Sequence, residues 1–201
     1  MTASHMADRA PLREAASASA VMFSEIGEQM RAAGRYFAEC FDKDGNLKWR
    51  DEIINTVMTE GKNVVLDQAL AGSSYSVTGP YMGLISSSSY SAISSADVGT
   101  QINGTNGWKE AGGTNAPTYS GNRKTCAWSS AAAGAKALSS ALSFSITGTG
   151  TIKGCFIVFF TGAVNTKDDA HGTLLSAGLF SGGDRAVLSG DTVNVSYTLS
   201  L

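Results

Sequence analysis

The chain has 201 residues, 43% of them hydrophobic, a formal net charge of −2 and an isoelectric point near 5.6. That is enough apolar side chain for one core and too little positive charge for a phosphate-binding field, so nucleic acid is not an expected partner. No apolar run reaches the roughly 18 residues of a membrane span, and Ala15 to Phe23, broken by Ser and followed by Glu25, lacks the pattern of a signal peptide, so the chain is expected to be made and kept in a cytoplasm.

At the N-terminus, His5-Met6 reads as a cloning-site remnant, which makes Met6 the expected natural start. Leu12, Ala16, Ser19, Phe23, Ile26 and Met30 recur at three- and four-residue steps and predict a helix with one narrow apolar stripe, Pro11 suiting its first turn and Gly34 its end. Such a helix is marginal alone; it packs on its own domain, bundles with copies or docks on another protein. Residues 1–34 are therefore expected to form a helical docking arm with Leu12, Phe23, Ile26 and Met30 as its partner-docking residues.

The next segment, Arg35 to Phe41 and Leu47 to Ile54 around Asp42-Lys43-Asp44-Gly45-Asn46, predicts a hairpin, because Gly and Asn supply the positive φ of a tight turn. Asp42, Asp44 and Asn46 also match the first ligand positions of a calcium loop. The match fails because the turn glycine falls two residues early and Ile53 stands where a bidentate Glu is required. Thr59 to Gly72 predicts a short helix, capped by Thr59 or Asn63 and stopped by Gly72.

From Pro80 onward, strand-like runs alternate with Gly, Ser, Asn and Asp. Candidates lie near 81–87, 124–128, 137–147, 151–160, 172–180, 186–188 and 191–199. In the last of them Val193, Val195, Tyr197 and Leu199 share one face and Asn194, Ser196, Thr198 and Ser200 the other. Cys155 to Phe160 is apolar on both faces, which predicts a covered strand with Phe156, Val158 and Phe159 in the core. The expected fold is mainly β: an antiparallel, jelly-roll-like β-sandwich over 35–201, with the hairpin and short helix of 35–72 leading into strands over 80–201, and the helical arm in front. Cys40, Cys126 and Cys155 sit among apolar neighbours and read as buried free thiols.

Several strings then take on a collective meaning: Asp44-Gly45-Asn46-Leu47-Lys48-Trp49, Asn55-Thr56-Val57 with Gly61-Lys62-Asn63 and Leu66-Asp67, Tyr81-Met82-Gly83-Leu84-Ile85, Gly107-Trp108-Lys109-Glu110, Asn122-Arg123-Lys124, and Gly178 to Arg185 with Ser189-Gly190-Asp191-Thr192. In this order they resemble a widespread group of tailed-bacteriophage virion structural proteins, over roughly Tyr36 to Leu201. The resemblance implies a non-enzymatic particle component of decoration, cement or fibre-like type, located in the virion and assembled in the host cytoplasm.

Catalytic chemistry has little to work with. Outside the cloning remnant the only imidazole is His171, after Asp168-Asp169, and no Gly-x-Ser-x-Gly elbow accompanies the many serines. His171, Asp168 and Asp169 could grip a surface ion but read as an exposed turn. Gly148-Thr149-Gly150 and Gly182-Gly183 lack the Lys and helix of a phosphate loop. A sugar platform of Trp49, Trp108, Trp128, Tyr75, Tyr81, Tyr90 and Tyr119 is weighed against core positions for Trp49 and Trp128 and an interface role for Trp108 and Tyr119. The expectation is no catalytic site, no metal and no cofactor. The partners would be other virion proteins of capsid, portal or tail, and copies of the chain itself. The alternative, a tail fibre or receptor-binding component anchored by the arm, adds a host surface glycan.

Overall fold

The structure, a computed structural model, describes residues 32–70, 78–88, 92–104 and 107–200. Leu12, Phe23, Ile26 and Met30, and with them the predicted helical arm, lie outside the described residues.

Alternation of apolar and polar side chains dictates the first and last described strands, β1 (Ala33–Phe41) and β10 (Thr192–Ser200), which pair antiparallel from Ala33 with Ser200 to Phe41 with Thr192. Ala33 and Gly34, expected to close the arm, belong to β1. Gly34 is required by close approach, not by a helix end: a Cβ there would collide with the Asn55 amide and the Tyr197 hydroxyl. β1 turns into β2 (Leu47–Val57) through the predicted hairpin, where the Asp42 carboxylate accepts the N–H of Asp44 at 2.9 Å and of Asn46 at 2.8 Å, and Gly45 adopts φ +84°. The Asn46 side-chain amide first, and those backbone bonds with it, hold the Asp42 carboxyl below its usual range, so the loop caps its own backbone.

Helix α1 (Thr59–Leu70) follows. Its Gly61 lies against β8 so closely that a Cβ would come 2.9 Å from the Leu175 Cα. Val64 and Val65 pack on the core from the same helix. The remaining strands are β3 (Tyr81–Ser86), β4 (Lys124–Thr125), β5 (Ala135–Ala137), β6 (Leu142–Ser145), β7 (Gly150–Phe159), β8 (Thr173–Leu179) and β9 (Arg185–Val187), with a single 3-10 turn at Gly99–Gln101. All join one antiparallel sheet in the order β4-β3-β7-β8-β2-β1-β10-β5, with β6 on β10 and β9 on β7, curled into a half-barrel. Long β2 bends it: the strand pairs with β1 along most of its length and with β8 only at Thr56 and Val57.

The concave side carries the main core, in which Tyr36, Ala38 and Cys40 of β1 and Val193, Val195 and Tyr197 of β10 meet Met82, Leu84, Cys155, Ile157 and Phe159. A hydrogen bond of 2.5 Å between the Tyr36 hydroxyl and Ser176 Oγ ties the two halves of the sheet across that core. The other face of β7 is covered as well: Phe156 and Val158 join Ile85, Leu174 and Ala177 beneath Met58, Ile102 and Trp108. Phe156, Val158 and Phe159 are all buried. The thiols of Cys40, Cys126 and Cys155 are free and buried; burial, reinforced by the Asp191 carboxylate, pushes Cys40 up to about 12, and burial alone takes Cys126 to about 12.

Candidate functional site

Two polar clusters stand out, and each is assembled from the short strings that the sequence scatters along the chain. The first lies among the loops that cover β3 and β7. Glu110 and Arg123 form a bidentate ion pair, Nε to Oε1 at 2.8 Å and Nη2 to Oε2 at 2.6 Å, with both side chains 0% exposed. Arg123 also donates to the Val164 and Asp169 carbonyls, and Glu110 accepts the Asp168 N–H, so the pair fastens loop 107–123 to loop 160–172. The Phe156 ring lies 5.3 Å below the guanidinium. Burial raises the Glu110 carboxyl above its usual range despite the bonds from Arg123.

Above this pair, Asp168 takes φ +62° and receives the Asn103 amide at 2.8 Å and the Thr114 N–H and hydroxyl at 2.6 and 2.7 Å. With Asn103, Lys109, Thr114 and Asn115 it lines an open polar cleft of about 220 Å³. The Lys109 ammonium donates to the Asn103 and Gly104 carbonyls, and the Asn103 amide oxygen accepts from the Glu110 N–H. These groups therefore act as loop fasteners. Of Asp168, Asp169 and His171, expected to form an exposed turn, Asp169 and His171 bond to each other: the His171 ring, 78% exposed, places its Nδ1 3.0 Å from the Asp169 carboxylate. Bonds from the His171 N–H and ring overcome the upward pull of burial and hold the Asp169 carboxyl low. No group of three metal-ligating side chains forms among the described residues.

The second cluster lies beside the other end of β7, where β9 pairs with Gly150 to Ile152. Asp51 on β2 binds Arg185 through Nε at 2.8 Å and Nη2 at 2.5 Å, and accepts from the Ser181 hydroxyl at 2.7 Å and the Gly182 N–H at 3.1 Å. These bonds outweigh desolvation and hold the Asp51 carboxyl below its usual range. Trp49 donates its indole N–H to the Ala186 carbonyl at 3.1 Å and stands edge-on to Phe180 at 5.5 Å. Lys48 reaches Asp191 at 2.5 Å, and Asp191 in turn accepts the Leu188 N–H.

The aromatic expectations need correction. Trp108, taken as an interface anchor, is 0% exposed and tilted onto Phe156 at 5.0 Å, and Tyr119 is buried edge-on against Phe144. Both belong to the interior of this chain because segments 99–104 and 107–123 fold back over the sheet. Trp49 and Trp128, taken as core, are only partly buried at its margin. Among the described residues, Trp49, Trp108, Trp128 and Tyr119 are thus divided among separate regions, and none of them lines the polar cleft. Tyr75 and Tyr90 lie outside the described residues. The two polar clusters went unread in the sequence; the signal for the first was a Glu and an Arg retained in a stretch from Ala69 to Ile152 where charged residues are rare. No described helix is long and apolar enough to cross a membrane. No protein-family model, curated protein or solved structure matches the chain.

Proposed function

We propose that the chain is a structural component of a tailed-phage particle, one that decorates and cements the shell through contacts between subunits. The observation that carries this reading is where its motif residues go. Lys48 pairs with Asp191, and Arg185 with Asp51 of β2, at one end of the sheet, and Glu110 pairs with Arg123 near the other. Charged side chains of the strings that resemble phage virion proteins are thus engaged inside the chain, as in a building block whose output is a stable body. The finer architecture belongs to the same proposal. The two facing halves of the half-barrel would act as the layers of a jelly-roll-like sandwich, and the helical stripe from Leu12 to Met30 would dock on a neighbouring shell or portal-proximal protein.

A fibre or receptor-binding role is the second reading, favoured by the open polar cleft of Asn103, Lys109, Thr114, Asn115 and Asp168, whose carboxylate, amide and ammonium suit sugar hydroxyls. Copy number separates the two. Quantitative mass spectrometry of purified particles of the encoding phage is expected to find on the order of hundreds of copies for a shell component, and on the order of six or twelve for a tail component obeying closed cyclic symmetry. Absence from purified particles overturns both.

A further inference from the structure

We propose that the outer face of β2, β1 and β10 is an interface between two copies of this chain. The inner face of these strands is filled by the core, whereas the outer face carries Phe37 and Ile54, 40% and 79% exposed. An isoleucine so exposed in the middle of a sheet is the kind of side chain a partner covers. Beside it, Ala33, Gly34, Arg35, Thr198 and Ser200 line a groove of about 400 Å³.

The register gives this face a symmetric order. Phe37 lies between Glu52 and Ser196; one step along, Arg35 lies between Ile54 and Thr198; one step the other way, Glu39 lies between Arg50 and Asn194. Consider a second copy laid face to face, related by a two-fold axis that crosses the strands at Phe37. Phe37 then meets the partner's Phe37, and Arg35 meets the partner's Glu39 at both symmetry-equivalent positions. Ile54 falls on the aliphatic stem of the partner's Arg50. The single like-charge contact, Glu52 on the partner's Glu52, is offset because each carboxylate already has Arg35 at 2.8 Å. A face whose charges reverse about a central aromatic is its own complement, as a two-fold interface requires.

Area sets the strength. The three strands β2, β1 and β10 at roughly 4.8 Å spacing, along nine residues of about 3.4 Å rise, with the three residues of β5 and the four of β6 beyond β10, present roughly 550 Å² per copy. The pair buries about 1,100 Å², at the lower edge of specific interfaces, which places the dimer in the weak, transient class. This inference stands on the face alone and is independent of the particle reading.

Sedimentation equilibrium of the full chain, from about 1 to 500 μM, tests it. Dimerisation is expected in the parent and lost in Phe37→Asp. Arg35→Glu and Glu39→Arg should each weaken it about tenfold, and the double change, which restores opposite charges across the axis, should recover most of the loss. The charge changes lie on exposed pairs of little worth to the fold, so they remain decisive if Phe37→Asp fails to fold. A parent monomeric at the highest concentration, a dimer indifferent to Phe37→Asp in a folded variant, or a double change no better than the singles overturns the proposal.

Discussion

Glu110 with Arg123 and Asp51 with Arg185 are the same chemical pair in two settings. Both are two-pronged guanidinium–carboxylate contacts, yet the Glu110 carboxyl is raised and the Asp51 carboxyl lowered. The difference lies in what surrounds them. Glu110 has no exposed surface, and desolvation exceeds what Arg123 returns. Around Asp51 the Arg185 side chain keeps 27% of its surface in water, and Ser181, Gly182 and the Glu52 N–H add donors to the carboxylate. The fully buried pair fixes which loops meet; the pair whose arginine reaches water adds stability as well as position.

The sharpest way to break the comparison is to strand one buried charge. Arg123→Ala leaves the buried Glu110 carboxyl without its partner and is expected to cost about 3 to 5 kcal/mol in urea unfolding. Replacing both partners by apolar residues of similar size, Glu110→Leu with Arg123→Met, should recover most of that, short of parity because the Val164 and Asp169 carbonyls and the Asp168 N–H lose their partners. A double variant as unstable as the single would mean that the pair is stabilising after all. Asp51→Ala, by contrast, is expected to cost about 1.5 to 3 kcal/mol, the worth of hydrogen bonds to a charged group.

Acid sharpens it further, because the two carboxyls have opposite signs. A depressed carboxyl contributes stability that is complete above its unfolded value, near 3.8 for Asp51, and is lost as pH falls through the lower folded value. A raised carboxyl does the reverse: in the window above 4.5, folded Glu110 takes up its proton before the unfolded chain does, so acid relieves its burial. Thermal melts from about pH 6 to pH 2 should therefore show a shallower acid loss in Asp51→Asn than in the parent. An unchanged acid limb would remove Asp51 from the explanation. The smallest effect is expected at His171→Ala, whose exposed ring touches only Asp169: stability should stay within about 0.5 kcal/mol. If the purified chain degrades host envelope polymer and this change abolishes the activity, the structural reading fails.

Where periodicity carried the information, the fold could be read before it was seen. β10 was legible because Val193, Val195 and Tyr197 alternate with polar residues, β7 because Cys155 to Phe159 is apolar on both faces, and the β1–β2 hairpin because Gly45 sits in a short polar turn. Trp108 was misplaced for the converse reason. It stands between Gly107 and Lys109 in a segment with no period, and its burial comes from Phe156 and Ile102, contacts that only tertiary folding creates. The same holds for Glu110 and Arg123: loops carry no repeat that announces a pair, and scarcity of charge was the one clue. Gly34 was mistaken for a helix stop because a glycine in sequence cannot say whether it is needed for its torsions or for the space it leaves, here to Asn55 and Tyr197.

The ladder between β1 and β10 sets the order in which the chain can fold. Every residue of β1 pairs with a residue of the last described strand, and Tyr36 finds Tyr197 at 4.5 Å only when that strand is in place. During synthesis β1 therefore waits, paired with β2 alone among the described strands, until β10 has been made. Contacts so distant in sequence close large loops before they are rewarded, which slows the search and leaves an apolar strand edge open to wrong partners meanwhile. A stop codon ahead of Thr192 would remove the partner of β1, β5 and β6 together, so the nascent chain is expected to become protease-resistant in one step once β10 has emerged, not gradually.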